Sequence, residues 1–251
     1  MVITSKENEI IKHAIKLREK KHRMVFNQFF VEGERLVFDA FKNEVNFKYI
    51  LIEQGKSQHY LQLLDCTDAK IYIVSSEISK YISQTVHKQG IFAILEQKSM
   101  QLEKNEKVLI LDRIQDPGNM GTLLRTAAAT NFKNVLLINC VDIYNDKVLR
   151  STMGGIFRVN AVQGSIEDIS RLKALNYLIF KADMKGENIF KINIESSKIA
   201  LVIGNEGNGV DKEISNLCTN SLSIPMLNGV ESLNAGVSGS IIMYYLSKGE
   251  F

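Results

Sequence analysis

The 251-residue sequence is poor in cysteine and in long apolar runs, and each shortage excludes a class of protein. Its three cysteines, Cys66, Cys140 and Cys218, lie far apart and form no CxxC pair, which argues against a disulfide framework and a structural zinc site. No stretch approaches about 18 uninterrupted apolar residues, and the polar start MVITSKENEIIKH lacks the apolar core of a secretory signal. We therefore expect a soluble, cytoplasmic protein in a reducing compartment, with no membrane span.

A strong excess of one charge is also missing. The sequence has 31 Lys and Arg residues against 28 Asp and Glu residues, and the net charge of +3 does not by itself indicate a polyanionic partner. Basic residues do crowd together from Lys12 to Arg23, in KHAIKLREKKHR, where only Glu19 offsets them. This segment is either a solvated helix face or a surface that meets phosphates.

Hydrophobic patterning divides the chain into two α/β parts. In the first hundred residues, QFFVEG, FKYILIE, KIYIVS and IFAILE are typical of strands with helices between them, and the polar stretch QKSMQLEKNE indicates a linker. Beyond it, the near-continuous apolar runs KVLILD, NVLLIN, YLIFKAD, KIALVIG and SLSIPM predict a mostly parallel sheet covered by helices on both faces. We predict an N-terminal domain over 1–97, a linker over 98–106 and a C-terminal domain over 107–251.

Three loops after predicted strands contain the residues of chemical interest, because open α/β sheets bind ligands outside the carboxyl ends of their strands. In LDRIQDPGNMGTLLRTAAA, Asn119 can cap a helix that carries Arg125, although a plain surface helix also fits. The three glycines of IGNEGNGV follow neither the dinucleotide nor the P-loop pattern. They either let a ligand approach the main chain closely or form a tight turn in which Glu206 is solvated. IPMLNGVESLNAGVSGS leads into a helix of small residues, which predicts close packing against another element.

Together, NMGTLLRTAAA, LVIGNEG and IPMLNGVESLN, in this order and spacing, resemble the three signature motifs of the SpoU-type RNA ribose methyltransferases of the SPOUT superfamily. The opening TSKENEIIKHAIKLREKKHRMVFNQFFVEGERLV is similar, less specifically, to the start of the small α/β RNA-binding domain that many members carry. The resemblance implies a deep trefoil knot in the C-terminal domain, a homodimer, and S-adenosylmethionine as the donor of a methyl group to a ribose 2′-hydroxyl. It implies no metal ion.

The resemblance also implies roles for individual positions. Arg125 matches the proposed activator of the ribose hydroxyl, but its high pKa equally allows phosphate binding and alkoxide stabilisation. The positions that match catalytic or organising polar residues are Asn119, Arg125, Glu206, Ser232 and Asn234. Those that match the donor pocket are Gly204, Gly207, Ile224, Met226 and Leu233. We expect RNA capture by Lys16, Arg18, Lys20, Lys21 and Arg23.

Several alternatives remain open at this point. Ribosomal RNA is the expected substrate and transfer RNA the second choice. A non-catalytic RNA-binding or assembly factor with the same fold is a different hypothesis, which the five retained polar residues disfavour. A nucleotide-dependent oxidoreductase lacks its glycine fingerprint. Asp112 and Asp116 are expected to cap and turn the chain rather than to act as a carboxylate pair.

Overall fold

The computed structural model describes residues 2–63, 67–98, 101–104, 106–194, 196 and 198–250. The chain divides into two compact units, Met1–Ser99 with Tyr144–Arg150, and Met100–Ile143 with Ser151–Phe251. Cys66 and part of the predicted linker lie outside the described residues. The domain boundaries at 97 and 107 stay a prediction.

The N-terminal unit contains a five-stranded mixed sheet. Its elements are β1 (Val2–Ile3), α1 (Glu9–Lys16), α2 (Lys20–Phe26), β2 (Gln28–Glu32), α3 (Glu34–Lys42), β3 (Phe47–Glu53), α4 (Ser57–Leu63), β4 (Lys70–Val74), α5 (Ser76–Ile82) and β5 (Ile91–Glu96). The strand order is β1-β4-β3-β5-β2, and β3 pairs in parallel with β4 but antiparallel with β5. One face of this sheet packs with α1 and α5 around Ile11, Leu51 and Phe92, which are buried.

The C-terminal unit contains a six-stranded sheet whose described strand pairs are all parallel. Its elements are β6 (Val108–Asp112), α6 (Pro117–Ala129), β7 (Asn134–Ile138), α7 (Asp146–Thr152), β8 (Asn160–Gln163), α8 (Ile166–Ala174), β9 (Leu178–Asn188), β10 (Ile199–Ile203), α9 (Lys212–Leu217), β11 (Asn220–Ser223) and α10 (Ala235–Leu246). The first residues of α7 belong to the N-terminal unit. Every residue of β6, β7 and β10 is buried, which confirms the predicted parallel sheet with two covered faces.

The order β11-β9-β10-β6-β7-β8 positions the functional loops. It sets β10 between β9 and β6, so the loops that follow these three strands are neighbours at the carboxyl edge of the sheet, where open α/β sheets bind ligands. The trefoil knot that the resemblance implies stays a prediction.

Helix α6 begins one turn before the position predicted for it. Asp116 is its N-cap, because the Asp116 carboxylate accepts a hydrogen bond from the Asn119 N–H at 2.7 Å, and Pro117 occupies the first turn. The prediction that Asn119 caps this helix was therefore wrong. The consequence is functional, since the Asn119 side chain is free to point toward another loop.

Helix α10 packs closely on α6, as its small residues predict. A Cβ atom added to Gly239 would lie 2.4 Å from Leu123 Cδ2, and one added to Gly236 would lie 3.3 Å from Thr122 Cβ. A side chain at Gly239 would therefore collide with Leu123, and one at Gly236 would crowd Thr122. The expected close approach is confirmed.

Candidate functional site

A cavity of about 470 Å³ opens beside the middle of β9, the residues that follow β10 and β11, and the start of α10. Its size falls within the range of roughly 300–1,000 Å³ that is usual for small-molecule sites. The residues predicted to form the donor pocket all line it: Gly204, Gly207, Ile224, Met226 and Leu233. Two of the predicted polar residues, Glu206 and Ser232, line it too.

The cavity wall is partly acidic. Asp183, Glu206 and Glu231 contribute carboxylates, and the described residues that line the cavity include no Lys, Arg or His. Hydrogen bonds to Asp183 from the Lys185 N–H (3.0 Å) and from the Lys181 ammonium (3.0 Å) lower the pKa of its carboxyl group. Glu206 and Glu231 have no described cationic partner, so the wall is suited to a ligand that carries positive charge.

Asn205 determines the shape of the glycine-rich loop after β10. Its backbone N–H and carbonyl pair with those of Gly209 at 3.0 and 2.9 Å. Its Oδ1 accepts from the N–H groups of Gly207 and Asn208, both at 3.1 Å, and its Nδ2 donates to the Arg113 carbonyl at 2.9 Å. The motif analysis gave Asn205 no role, although asparagine's ability to hydrogen-bond its own following backbone was an available signal.

Gly204 and Gly207 line the same cavity but are glycines for different reasons. A Cβ atom at Gly204 would lie 2.3 Å from the backbone of Gly209 and Val210, so no side chain fits there. At Gly207 the nearest heavy atom would be Asn205 Oδ1, at 3.8 Å. Gly204 is thus required by the loop itself, whereas Gly207 has space for a side chain, and its lack of one leaves room for a ligand to approach.

A buried carboxylate fastens this loop to the end of β6. Asp112 accepts hydrogen bonds from the Asp211 N–H at 2.7 Å and from Arg113 Nε at 2.9 Å. The Arg113 guanidinium also donates to the Gly209 carbonyl at 3.2 Å. Asp112 therefore holds the chain turn, as expected, and joins two of the three motif loops.

Glu206 joins the glycine-rich loop to the start of α6. Its carboxylate accepts from Asn119 Nδ2 at 3.0 Å, from the Asp116 N–H at 3.2 Å and from the Gln115 N–H at 3.5 Å. Burial opposes ionisation, but these hydrogen bonds outweigh it and lower the Glu206 pKa. Glu206 is consequently an ionised group that fixes the orientation of Asn119.

Asn234 lies close to the same pair. It is the N-cap of α10, and its Oδ1 accepts from the Val237 N–H at 3.2 Å. A Cβ atom at Gly236 would lie 3.1 Å from Asn234 Oδ1 and 3.3 Å from Asn119 Oδ1. The structure thus gathers Asn119, Glu206 and Asn234 where α6, α10 and the glycine-rich loop meet.

Arg125 lies apart from this group. Its side chain is exposed on α6 and, with Thr122, Ser151 and Tyr244, lines a separate groove of about 390 Å³. No described residue forms a hydrogen bond or ion pair with the Arg125 guanidinium, and the carboxylate of Glu206 is engaged by Asn119 and backbone amides. Within one chain, Glu206 therefore orients Asn119 and not Arg125.

The predicted RNA-binding residues separate into two groups. Lys16, Arg18, Lys20 and Lys21 are exposed. Arg23 is only 5% exposed, and its Nη1 donates to the carbonyls of Leu17 and Arg18, both at 2.7 Å. The expectation of an RNA contact at Arg23 is corrected: the side chain satisfies carbonyls at the end of α1 and is not available to phosphates.

The His, Cys, Asp and Glu residues of the described part of the chain are the candidates for metal and thiol sites. Within that part they form no group of three that could hold a metal ion. Burial raises the pKa of both Cys140 and Cys218 to about 11, so these thiols stay protonated at neutral pH. In the same residues, no helix has the length and apolar character to cross a membrane.

Two family models match the chain: the SpoU rRNA methylase family over residues 106–244 and an MRM3-like substrate binding domain over residues 8–93. The first match alone extends over more than half of the 251 residues. The chain belongs to the SpoU rRNA methylase family. The resemblance seen in the three motifs is confirmed, and the parallel sheet and its loops are those of the SpoU methylase domain.

Relatives of this SpoU-family chain match nearly its whole length. The 23S rRNA (guanosine(2553)-2′-O)-methyltransferase RlmP of Bacillus subtilis is 32% identical and aligns over 97% of this chain and 98% of its own. A crystal structure of an RNA 2′-O ribose methyltransferase has a TM-score of 0.83 at 25% identity, covering 100% of this chain and 99% of its own. An AdoMet-bound rRNA methyltransferase from Sinorhizobium meliloti shares the fold, with a TM-score of 0.88, 24% identity and coverage of 100% and 98%.

Proposed function

We propose that this protein transfers a methyl group from S-adenosylmethionine to a ribose 2′-hydroxyl of ribosomal RNA. The observation that carries the proposal is the cavity at the carboxyl edge of the parallel sheet, which is lined by all five residues expected to hold the donor. Family membership and the likeness to RlmP over nearly the full chain support the substrate class. Such a substrate also favours a cytoplasmic location.

The chemistry of the cavity fits the donor. When bound, S-adenosylmethionine supplies a methyl group on a positively charged sulfonium. The side chains of Ile203, Ile224 and Leu233 provide an apolar wall for its uncharged parts, and the carboxylates of Glu206 and Glu231 offset its positive charge. The open main chain around Gly207 would contact adenosine.

Glu206, Asn119 and Asn234 are assigned positioning roles. Glu206 is ionised and already saturated with hydrogen bonds, so it holds Asn119 in one orientation before substrate arrives. Asn119 and Asn234 then present amide groups from α6 and from the start of α10. Preorganised donors and acceptors of this kind contribute to rate by fixing the reacting groups, an effect of up to about 7–11 kcal/mol in well-oriented systems.

Arg125 is assigned to the RNA. A guanidinium has no hydrogen-bond acceptor and is not deprotonated in proteins, so it does not act as a general base. Its charge is suited to binding the phosphate next to the target ribose and to stabilising the alkoxide that develops at the 2′-oxygen. The exposed position of Arg125, without a described partner, leaves it available for this contact.

A homodimer is part of the proposal. The outward surface of α6 and α10 exposes Arg125 together with Val237 and Tyr244, two apolar side chains that a second copy would cover. Light scattering coupled to size-exclusion chromatography should give about 57 kDa, twice the 28.3 kDa of one chain. In such a dimer, Arg125 serves either the cavity of its own copy or that of the other copy. Mixing Arg125→Ala with Glu206→Ala protein distinguishes these two arrangements, because activity returns only if Arg125 of one copy serves the cavity of the other.

The direct test is transfer of labelled methyl from S-adenosylmethionine to total RNA from a strain that lacks the protein. Wild type should label one ribose in ribosomal RNA, located by mapping 2′-O-methyl sites, and Arg125→Ala should label none. Labelling confined to transfer RNA would change the substrate. If no RNA is labelled, ribosomal precursors included, the hypothesis of an enzyme is rejected in favour of a non-catalytic RNA-binding factor.

A further inference from the structure

The loop between α5 and β5, residues 83–90, is fastened first by Glu32. The Glu32 carboxylate accepts from Ser83 Oγ at 2.5 Å, from Thr85 Oγ1 at 2.7 Å and from the Gln84 N–H at 2.7 Å. Three consecutive residues of a surface loop are thus bound to one carboxylate. This half of the loop has a single preferred conformation as a result.

The other half is fastened by Glu53, which is 9% exposed. Lys88 Nζ donates to both oxygens of Glu53 at 3.0 and 3.1 Å, and Ser79 Oγ donates to one of them at 2.8 Å. Next to Lys88, Gln89 accepts from the Glu34 N–H through its side chain at 2.8 Å. A nearly buried carboxylate is costly unless it is fully paired, and here the pairing is with the loop.

The tip between these two anchors projects into water. Val86 is 94% exposed, and His87 beside it is also exposed. Neither side chain has a hydrogen bond or ring contact with any other described residue. A single exposed valine is ordinary, so the surface next to the loop decides whether the tip has a role.

That surface includes the exposed basic patch, which consists of Lys16, Arg18, Lys20 and Lys21. The Arg18 guanidinium donates to the carbonyl of Tyr81, two residues before the loop, at 3.2 Å. The Tyr81 ring is 42% exposed, and the Lys6 ammonium lies 5.0 Å from its centroid. The cations of Arg18 and Lys6 therefore lie next to an exposed aromatic ring, which precedes Val86 by five residues in the chain.

We propose that Tyr81 and the tip Val86–His87 contact unpaired bases of the substrate RNA, while Arg18 and the lysines of the basic patch bind its phosphates. The inference rests on the proposed function and specifies where its RNA is held. Proteins recognise single-stranded RNA by stacking its bases on aromatic side chains and packing them on apolar ones, beside cationic groups that bind phosphates. Tyr81, Val86 and the cations next to Tyr81 provide this combination. Of the two carboxylates that hold the loop, Glu53 is paired with the Lys88 ammonium, which offsets its negative charge.

The test measures binding of protein-free ribosomal RNA, from a strain that lacks the protein, at several salt concentrations. Tyr81→Ala and Val86→Asp should each weaken binding about tenfold, the effect of losing one base contact. Tyr81→Ala should leave the slope of log affinity against log salt unchanged, whereas Arg18→Ala should reduce that slope by about one. Leu175→Asp, the same acid at another exposed apolar side chain but in the C-terminal unit, is the matched control and should bind as wild type does.

Circular dichroism and donor affinity separate the possible outcomes. Folded variants with unchanged S-adenosylmethionine affinity and weakened RNA binding support the proposal. Wild-type affinity in both Tyr81→Ala and Val86→Asp, or crosslinks from a photoreactive residue at position 86 to protein instead of RNA, would overturn it. A wild-type protein that binds the donor but no RNA would instead remove the proposed function, so the two failures are distinguishable.

Discussion

Two glycines of one loop give the sharpest test of the site geometry. Alanine at 204 would place its Cβ atom 2.3 Å from the Gly209 and Val210 backbone, more than 1 Å inside ordinary contact. Relief requires residues 209–210 to move, which breaks the paired hydrogen bonds between Asn205 and Gly209 at 3.0 and 2.9 Å. Overpacking and two lost hydrogen bonds, less the reduced entropy of the unfolded alanine chain, amount to about 2–4 kcal/mol of destabilisation.

Alanine at 207 is the matched control. Its Cβ atom meets only Asn205 Oδ1 at 3.8 Å, so the free energy of unfolding should stay within about 1 kcal/mol of wild type. The new methyl group does project at the wall of the donor cavity, and we expect weaker S-adenosylmethionine binding. Gly207→Ala should therefore lose donor affinity without losing stability.

Urea unfolding of the donor-free proteins, followed by circular dichroism, separates the two variants, and calorimetric titration supplies the donor affinity. The reasoning is refuted if Gly204→Ala unfolds at the wild-type urea concentration. It is equally refuted if Gly207→Ala is destabilised as much as Gly204→Ala, because the two positions would then share one role.

Other parts of the molecule give four further expectations. Arg125→Ala should lower the single-turnover rate at least about 100-fold while donor affinity and the unfolding midpoint stay at wild-type values, since Arg125 is exposed and outside the cavity. Arg23→Gln should destabilise the N-terminal unit by about 1–3 kcal/mol, because the carbonyls of Leu17 and Arg18 lose their hydrogen-bond donor, and it should leave the salt slope of RNA binding unchanged, because it removes no surface charge. Lys20→Ala should reduce the salt slope and leave the stability unchanged. Burial raises the pKa of Glu53, but hydrogen bonds from Lys88, Ser76 and Ser79 outweigh it, so the pKa is lowered from its ordinary value of 4.5. The stabilisation by ionised Glu53 is therefore complete above pH 4.5 and is lost as the pH falls below that value. Glu53→Gln should flatten this part of the plot of urea midpoint against pH between pH 7 and 3.5. The single-turnover rate should rise steadily from pH 6 to 9 if water takes the ribose proton, whereas a plateau with a midpoint near 6 or 7 would indicate a protein base.

The sequence predicted the sheet well because its signals there are local. Five apolar residues in a row are enough to indicate a strand with both faces covered, and β6, β7 and β10 are such strands. Strand β8 was missed, since Asn160–Gln163 reads NAVQ and has no such run. The two residues of β1 are too short for any periodicity.

The candidate site was predicted as a set of residues but not as an arrangement. Glu206 and Asn119 are 87 positions apart, and their hydrogen bond depends on β10 lying beside β6, which no local pattern states. The same limit explains why Arg23 was assigned to the surface: a run of basic letters does not show which guanidinium turns inward to satisfy carbonyls. Asn205 was overlooked because its partners are backbone atoms.

The arrangement constrains the chemistry. A guanidinium is not a proton acceptor in proteins, and Glu206, with its lowered pKa and its hydrogen bonds from Asn119 and two backbone N–H groups, is a weak one at neutral pH. Ser232, Asn119 and Asn234 are no better, and the cavity's described lining contains no histidine, lysine or cysteine. On the proposed function, the rate comes from orientation and from charge placed where the alkoxide forms. A cationic donor suits this mechanism, because attack by the ribose oxygen removes the positive charge of the sulfonium. The 2′-hydroxyl then has to lose its proton only as the new bond to the methyl group forms. The place of Arg125 in a groove separate from the cavity is consistent with the role proposed for it, which is to serve the RNA phosphate and not the donor.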